Sequence, residues 1–298
     1  MKIPERIQRN IHLKEYTTFK IGGPAELLTE PETAGEMRED LRWAHSQGLK
    51  PFILGEGANI LVSDKGIPGL VICTRKMTGC TIVQSKQAAE VEILAGTKVD
   101  DAIEFCAQHS LEGLEFLYGM PGSIGGALWM NARCCGSEVS SVLMRADCAR
   151  LDGSDYSYIF NPDDWDYKIS PFQDNDTAIL SARFSLSTGD TKAIRQKMRR
   201  WKDERKEKGH YRFPSAGSMF KNDYAVGKPS GQIIEELGLR GMRKGDAQVA
   251  PFHGNFFINT GNASAADMRS LVFEVQHIVR EKTGITLEPE VRFVGDWS

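Results

Sequence analysis

This chain has no surplus of positive charge. Its 37 Lys and Arg face 40 Asp and Glu, a formal charge of -3, so nothing in the balance calls for nucleic acid as a partner. It also lacks long apolar runs. The longest are a few residues, far short of the roughly 20 that cross a bilayer. The opening MKIPERIQRN carries charge and no apolar stretch, unlike a secretory leader, and a cytoplasmic protein is expected. Metal-ligand spacing is missing as well. Cys73, Cys80, Cys106, Cys134, Cys135 and Cys148 form no CxxC pair, and His12, His45, His109, His210, His253 and His277 are scattered, so no metal site is expected. Cys134 and Cys135 are adjacent and not easily bridged, which leaves thiols in a reducing compartment as the simplest reading. No internal repeat or low-complexity tract occurs.

The composition that remains, 41% hydrophobic and 26% charged over 298 residues, is that of a globular chain long enough for one large domain or two to three smaller ones. Thr33 to Gln47 reads as a helix with Ala34, Met37, Leu41 and Ala44 on one face and Gly48 to close it. Short apolar stretches at 51–54, 60–62, 69–73 and 91–94 read as strands, and 98–110 as a second helix. Asp190 can cap a third helix over 191–208, with Ile194, Met198 and Trp201 sharing a face. Ser230 to Leu237 reads as a short helix. Ser264, with Asp267 three residues on, opens the last long helix, whose core face is Met268, Leu271, Val272, Val275, Ile278 and Val279. The class is α+β, with a boundary expected near 186–192.

Chemistry concentrates in a few places. Gly55, Gly57 and Asn59 follow a buried apolar strand, and Pro121-Gly122-Ser123-Ile124-Gly125-Gly126 forms a second glycine-rich loop. Glycine permits positive φ and close backbone approach, so successive N–H groups in such loops can converge on an anion. Two tight turns would leave the same trace. Neither loop fits the dinucleotide fingerprint or the Walker pattern with its lysine. In PSAGSMFKN, from Pro214 to Asn222, Ser218 is either a turn serine or a held hydroxyl. In LEPEVRFVG, from Leu287 to Gly295, strand alternation puts Leu287, Pro289, Val291 and Phe293 on one side and Glu288, Glu290 and Arg292 on the other. That places Glu290 on solvent or in a cleft.

TTFKIGGPA (17–25), LGEGANILVSDKGIPGLVI (54–72) and MPGSIGGALWMNA (120–132), followed by PSAGSMFKN, GQIIEELGLRG (231–241), GDAQVAPFHGNFFINTGNASAAD (245–267) and LEPEVRFVG, resemble the UDP-N-acetylenolpyruvoylglucosamine reductases (MurB) in unbroken order over nearly the whole chain. The tight passage from the last helix into LEPEV resembles the shorter, type II form. The resemblance implies an FAD-binding fold of the vanillyl-alcohol oxidase and p-cresol methylhydroxylase class. An FAD-binding domain of two α+β subdomains at 1–188 would be followed by a smaller α+β substrate-binding domain at 189–298. It also implies an activity: NADPH reduces FAD, and the flavin passes hydride to the enolpyruvyl group of UDP-N-acetylglucosamine enolpyruvate, giving UDP-N-acetylmuramate for peptidoglycan. FAD would then lie on Gly55, Glu56, Gly57, Ala58, Asn59, Ile60, Pro121, Gly122, Ser123, Gly125 and Gly126. Ser218 would be the proton donor and Glu290 the catalytic glutamate. Tyr167, Lys221, Asn222, Gln248, His253 and Asn255 would line the substrate side. The partners implied are NADPH and the UDP-sugar alone, with no nucleic acid or membrane.

The chain departs from the family where Tyr-Arg-x-Ser is usual. Here the stretch is Tyr167-Lys168-Ile169-Ser170, so the group expected on the substrate carboxylate keeps its charge and loses the two-pronged guanidinium. Arg133-Cys134-Cys135 replaces small residues and an aromatic, Asp223 a proline, and Gly254 an alanine. The departures at Lys168 and Arg133-Cys134-Cys135 motivate a second reading, a flavin- or nucleotide-sugar-binding homologue with impaired reduction. A third is an oxidase of the same FAD class; no histidine lies in either glycine loop to carry a covalent flavin.

Overall fold

The computed structural model describes residues 3–83, 89–173 and 176–298. Two compact units are present. The first comprises the described residues within Met1–Gln8, Leu27–Glu56 and Gly69–Glu204; the second is Arg9–Glu26, Gly57–Pro68 and Arg205–Ser298. Both are discontinuous in sequence. The boundary expected near 186–192 marks where turn-rich strand sequence gives way to helix; the units are defined by compactness alone.

The first unit is built on an antiparallel sheet. Its central strand, Thr177–Thr188, pairs with Leu143–Arg150 on one side and Ala89–Leu94 on the other. Asp155–Ile159 and Cys80–Val83 form the outer strands. Val91, Ile93, Ala182 and Phe184 are fully buried. Helix α1 (Ala34–Ser46) starts where Thr33 accepts a hydrogen bond from the Glu36 N–H, and buries Met37, Leu41 and Ala44 as its periodicity predicts. Helix α2 (Val99–Gln108) buries Val99, Ala102, Ile103 and Cys106. Helix α3 (Ile124–Trp129) falls within the second glycine loop, where the sequence reading placed no helix. Helix α4 (Thr191–Glu207) opens with the Asp190 carboxylate accepting from the Lys192 and Ala193 N–H groups. Ile194 and Met198 are buried, while Trp201 stays half-exposed with the Arg200 guanidinium 4.6 Å from its ring.

In the second unit Ser215–Ser218, Phe256–Asn259, Ala247–Val249 and Arg243–Lys244 form a four-stranded antiparallel sheet in that order. Helix α5 (Ser230–Glu236) and helix α6 (Ala265–Thr283) belong to the same core. The capping box expected at Ser264 and Asp267 is complete, and Gly284, at φ 75°, ends α6. Met268, Leu271, Val272, Val275 and Val279 have no exposed surface, each contributing roughly 1.5–3 kcal/mol by burial. Asp64 reaches the start of α6 from another chain segment, accepting from the Ala265 and Ala266 N–H groups at 2.8 and 2.9 Å. Ile60–Val62 pairs in parallel with Arg292–Val294.

The single strand expected from Leu287 to Gly295 is shorter. Only Arg292–Val294 is strand, and Pro289 makes an isolated bridge to Phe220. Proline has no N–H to extend a ladder, and the Glu290 N–H turns to the Met219 carbonyl instead.

His210 stacks on Phe256 at 4.4 Å and stands 6.3 Å from His253. Burial, and then the charges of Arg205, His253 and Lys208, push its pKa from 6.5 down to about 4. The unfolded chain therefore binds the extra proton first. The stability held by neutral His210 is complete above pH 6.5 and is lost as pH falls from 6.5 toward 4. His210→Phe should remove this component, roughly 2 kcal/mol once solvent screening is allowed for. Urea midpoints at pH 7.5 and 5.0 should converge in the variant relative to the wild type.

Candidate active site

Two clusters hold the residues singled out from the sequence, one in each unit. In the first unit the glycine loops meet. A side chain on Gly55 would run into the Ser123 hydroxyl at 2.5 Å, and one on Gly126 would find only that hydroxyl, at 3.4 Å. Gly122 faces open space. Gly55 and Gly126 thus both lie against the buried Ser123 hydroxyl, and Gly126 is exposed. Ser123 also caps α3 through its hydroxyl and the Gly126 N–H. The expectation of converging amides is not met across this loop. The N–H groups of Ile124, Gly125 and Gly126 already donate to Thr97, Ala95 and Ser123. Gly125 is needed for another reason, since a Cβ there would sit 2.9 Å from that of Ala95. Glu56 pairs with Arg75 at 3.5 Å, and the Arg75 guanidinium donates to the Glu56 carbonyl.

Tyr167 and Lys168 form a tight turn, closed by reciprocal backbone hydrogen bonds between Asp166 and Ile169. Lys168 takes φ 61°, a left-handed value uncommon for a side-chain-bearing residue. The turn is pinned from outside. The Asn131 amide donates to the Asp166 carbonyl at 2.9 Å, Gln173 donates to the Lys168 carbonyl at 2.9 Å, and Ser170 donates to the Trp129 carbonyl at 2.8 Å. Two cations flank the Tyr167 ring, the Arg133 guanidinium at 5.7 Å and the Lys168 ammonium at 6.0 Å from its centre. Asn131 was not picked out from the sequence. It is fully buried with φ 41°, and its carbonyl oxygen has no hydrogen-bond partner among the described residues. Neither its backbone angle nor its orphan acceptor leaves a trace in residue order.

The second unit joins the other candidates. Gly57 is jammed at φ 62°, where a Cβ would lie 2.1 Å from the Tyr16 carbonyl, and its own carbonyl accepts from the Thr18 N–H. Asn59 donates its amide to the Glu290 carbonyl at 3.1 Å, and the Arg292 N–H returns to the Asn59 carbonyl. The Glu290 N–H donates to the Met219 carbonyl at 2.7 Å. Ser218 and Glu290, separated by 72 positions in the sequence, therefore lie on neighbouring extended segments, and both are half-buried.

Asn255 holds the Ser218 segment in place. Its amide oxygen accepts from the Phe220 N–H at 2.9 Å, its nitrogen donates to the Phe220 carbonyl at 2.8 Å, and its backbone carbonyl accepts from the Met219 N–H. Gln248 is tied to Gly241 and Arg243. The His253 ring nitrogen accepts from the Asn255 N–H, and burial holds its pKa low. Lys221 pairs with Glu288 at 2.6 Å, and Asn222 accepts from the Ser230 N–H at the start of α5. Ala58 and Asn59 are half-buried, Ile60 is buried, and Pro121 is exposed.

With this geometry in place, the comparisons with known proteins decide the family. Residues 209–294 match the UDP-N-acetylenolpyruvoylglucosamine reductase C-terminal domain, and 25–154 match the FAD binding domain. The UDP-N-acetylenolpyruvoylglucosamine reductase of Treponema denticola is 43% identical over 96% of this chain and 92% of its own length. The chain belongs to the UDP-N-acetylenolpyruvoylglucosamine reductase family. The Borreliella burgdorferi reductase is 41% identical over 95% of this chain and 93% of its own length. The crystal structure of the Thermus caldophilus reductase (MurB) superposes with TM-score 0.77 at 31% identity, covering 97% of this chain and 98% of that one. Among the described residues no group of three or more His, Cys, Asp or Glu could hold a metal, and no helix is long and apolar enough to cross a membrane.

The two glycine loops should separate by substitution. Gly126→Val meets only a rotatable hydroxyl and should leave the urea midpoint close to wild type while lowering FAD bound per chain at least several-fold. Gly57→Val forces a Cβ into backbone and should lower the unfolding free energy by about 2 kcal/mol or more, read as a lower urea midpoint.

Proposed function

We propose that this chain is an NADPH-dependent UDP-N-acetylmuramate dehydrogenase of peptidoglycan synthesis, acting in the cytoplasm on UDP-N-acetylglucosamine enolpyruvate. An FAD-binding domain at 1–188 and a substrate-binding domain at 189–298 divide the work. FAD, when bound, supplies the hydride transfer, from NADPH to the methylene carbon of the enolpyruvyl group. Support for the cofactor comes from Gly122, which faces open space, and the exposed Gly126, which let a ligand approach backbone, and from the Asn131 oxygen, unpartnered among the described residues. Gly55 to Ile60 and Pro121 to Gly126 are the residues that would hold it. The expected anion grip by the amides of Ile124, Gly125 and Gly126 is not part of this reading.

The observation that carries the mechanism is the Glu290 N–H to Met219 hydrogen bond at 2.7 Å, which sets the Ser218 and Glu290 segments side by side. Hydride addition leaves negative charge on the adjacent carbon and in the carboxylate of the substrate. Ser218 then gives its proton to that carbon. Glu290 helps polarise the enolpyruvyl group and relays a proton back toward the serine. Lys168 supplies positive charge for the carboxylate, and Tyr167 orients that charge. Lys221 and Asn222 serve the nucleotide-sugar side. Asn255, Gln248 and His253 act by holding backbone, since their amide and ring atoms already have protein partners.

Ser218→Ala should leave flavin reduction by NADPH within about twofold of wild type and slow flavin reoxidation by substrate at least about 10³-fold. Stopped-flow absorbance of the two half-reactions is the test. Equal losses in both would remove Ser218 from the donor role.

A second reading, impaired reduction, rests on the turn at Lys168. A single ammonium makes no bidentate contact with a carboxylate. Lys168→Arg should raise kcat/KM for the enolpyruvyl substrate by about tenfold, the scale of one extra charge-assisted hydrogen bond. A variant no faster than wild type would show that lysine suffices.

A further inference from the structure

Cys134 and Cys135 have no place in the reaction above, yet their placement is specific. They sit at the tip of a hairpin in which Arg133 pairs with Glu138 and Cys134 with Ser137. The two central residues, Cys135 and Gly136, have φ of 56° and 85°. Positive φ at both is the mark of a tight two-residue turn of the type that matches strand twist. That turn sets the Cα–Cβ direction of both cysteines at the hairpin tip. Their sulfurs stand 3.0 Å apart. Cys135 is exposed and Cys134 half-buried.

Geometry discriminates between the things two adjacent thiols can do. A disulfide needs sulfurs about 2.05 Å apart and usually Cα atoms roughly 4.4–6.8 Å apart. Neighbouring residues hold their Cα atoms at about 3.8 Å, so ring closure here is strained. A soft Lewis acid bound by two thiolates, with bonds of about 2.3 Å and an angle near 100°, needs sulfurs about 3.5 Å apart. The observed separation lies within a small rotamer adjustment of that bite.

We propose that Cys134 and Cys135 form a bidentate site for a soft, thiophilic centre of the trivalent arsenical class. With an aryl arsenoxide the reaction is a condensation. Two As–S bonds form, the As–O bond breaks, and both thiol protons leave with the oxygen as water. No electrons are transferred and no further reactant is required.

The other four thiols compete poorly. Cys73, Cys106 and Cys148 are buried, and burial pushes them up to about 11, 12 and 12. Cys80 is half-buried and also raised, to about 11. Cys80 lies close enough to Cys106 to influence it, so that pair is the control. The hairpin stem reaches the Lys168 turn. Arg133 lies over Tyr167, and Asn131 links Glu138 to the Asp166 carbonyl. An arsenical held at Cys134 and Cys135 would therefore sit beside the turn that presents Lys168.

The test is titration of the purified protein with phenylarsine oxide, read by intact mass and thiol counting. The expected result is one arsenic per chain with two thiols consumed. Release should follow addition of 2,3-dimercaptopropanol but not an equal concentration of 2-mercaptoethanol. Cys134→Ser and Cys135→Ser should each abolish the monothiol-resistant adduct, and Cys80→Ser should keep it. Tandem mass spectra of the digested wild-type adduct should place arsenic on the peptide that contains both Cys134 and Cys135, a readout independent of how the variants fold. A resistant adduct that survives in Cys134→Ser or disappears in Cys80→Ser would overturn the proposal. So would a wild-type adduct that 2-mercaptoethanol removes.

Discussion

The second unit depends on one backbone arrangement, the run of hydrogen bonds that ties residues 59–62 to 290–294. Three register pairs, Ile60 with Arg292, Leu61 with Phe293 and Val62 with Val294, close a loop of more than two hundred residues. Asn59 extends the run by gripping the Glu290 carbonyl. From there the order is passed on through the Glu290 N–H to Met219, and through Met219 and Phe220 to Asn255. The Ser218 and Glu290 segments are thus placed side by side largely by main-chain contacts. Without the pairing, the Glu290 N–H to Met219 bond and the Pro289–Phe220 bridge would be left to relate Glu290 to Ser218.

The first unit uses a different device. The Tyr167–Lys168 turn is held by side chains that reach its carbonyls from Asn131 and Gln173, and by Ser170 donating outward. A flexible lysine gains direction only if the backbone that bears it is immobile. Two pins on the four-residue turn and a third on the residue that follows it supply that. None of these contacts involves the side chain of residue 168, so the turn does not depend on which cation stands there.

Much of this was legible in residue order, for identifiable reasons. The limits of α1 and α6 follow from Thr33, from the Ser264–Asp267 box and from Gly284, all local signals that act within one turn. The glycine loops could be located because glycine marks unusual backbone wherever it stands, although their use could not be read. Gly57 answers to the Tyr16 carbonyl and Gly125 to Ala95, distant partners that the sequence does not announce. The strand expected through Leu287 to Gly295 failed at Pro289, where alternation of side chains persists without a ladder. The catalytic candidates Ser218, Glu290 and Lys168 were available only through resemblance to the family. Their residue types fit ordinary turn and strand chemistry equally well. Asn131 is silent in sequence, and Asn255 was expected on the substrate side rather than as a backbone clamp, because a buried asparagine is placed by partners far along the chain.

The division of the chain carries a consequence for how it is made. The second unit is assembled from Arg9–Glu26, Gly57–Pro68 and Arg205–Ser298. Its earliest pieces leave the ribosome long before the strand at Arg292–Val294 exists to receive Ile60–Val62. During synthesis these segments wait, with apolar Phe19, Ile21 and Leu61 uncovered. The closing contact is among the most non-local a chain of this length permits, which slows folding and prolongs exposure. The first unit can close around its own sheet sooner, because Thr177–Thr188 completes it before α6 is translated. Biosynthesis therefore runs in the order of the first unit's sheet first and the Ser218–Glu290 pairing last. A growing chain cannot bring Ser218 and Glu290 together until Arg292–Val294 has been added.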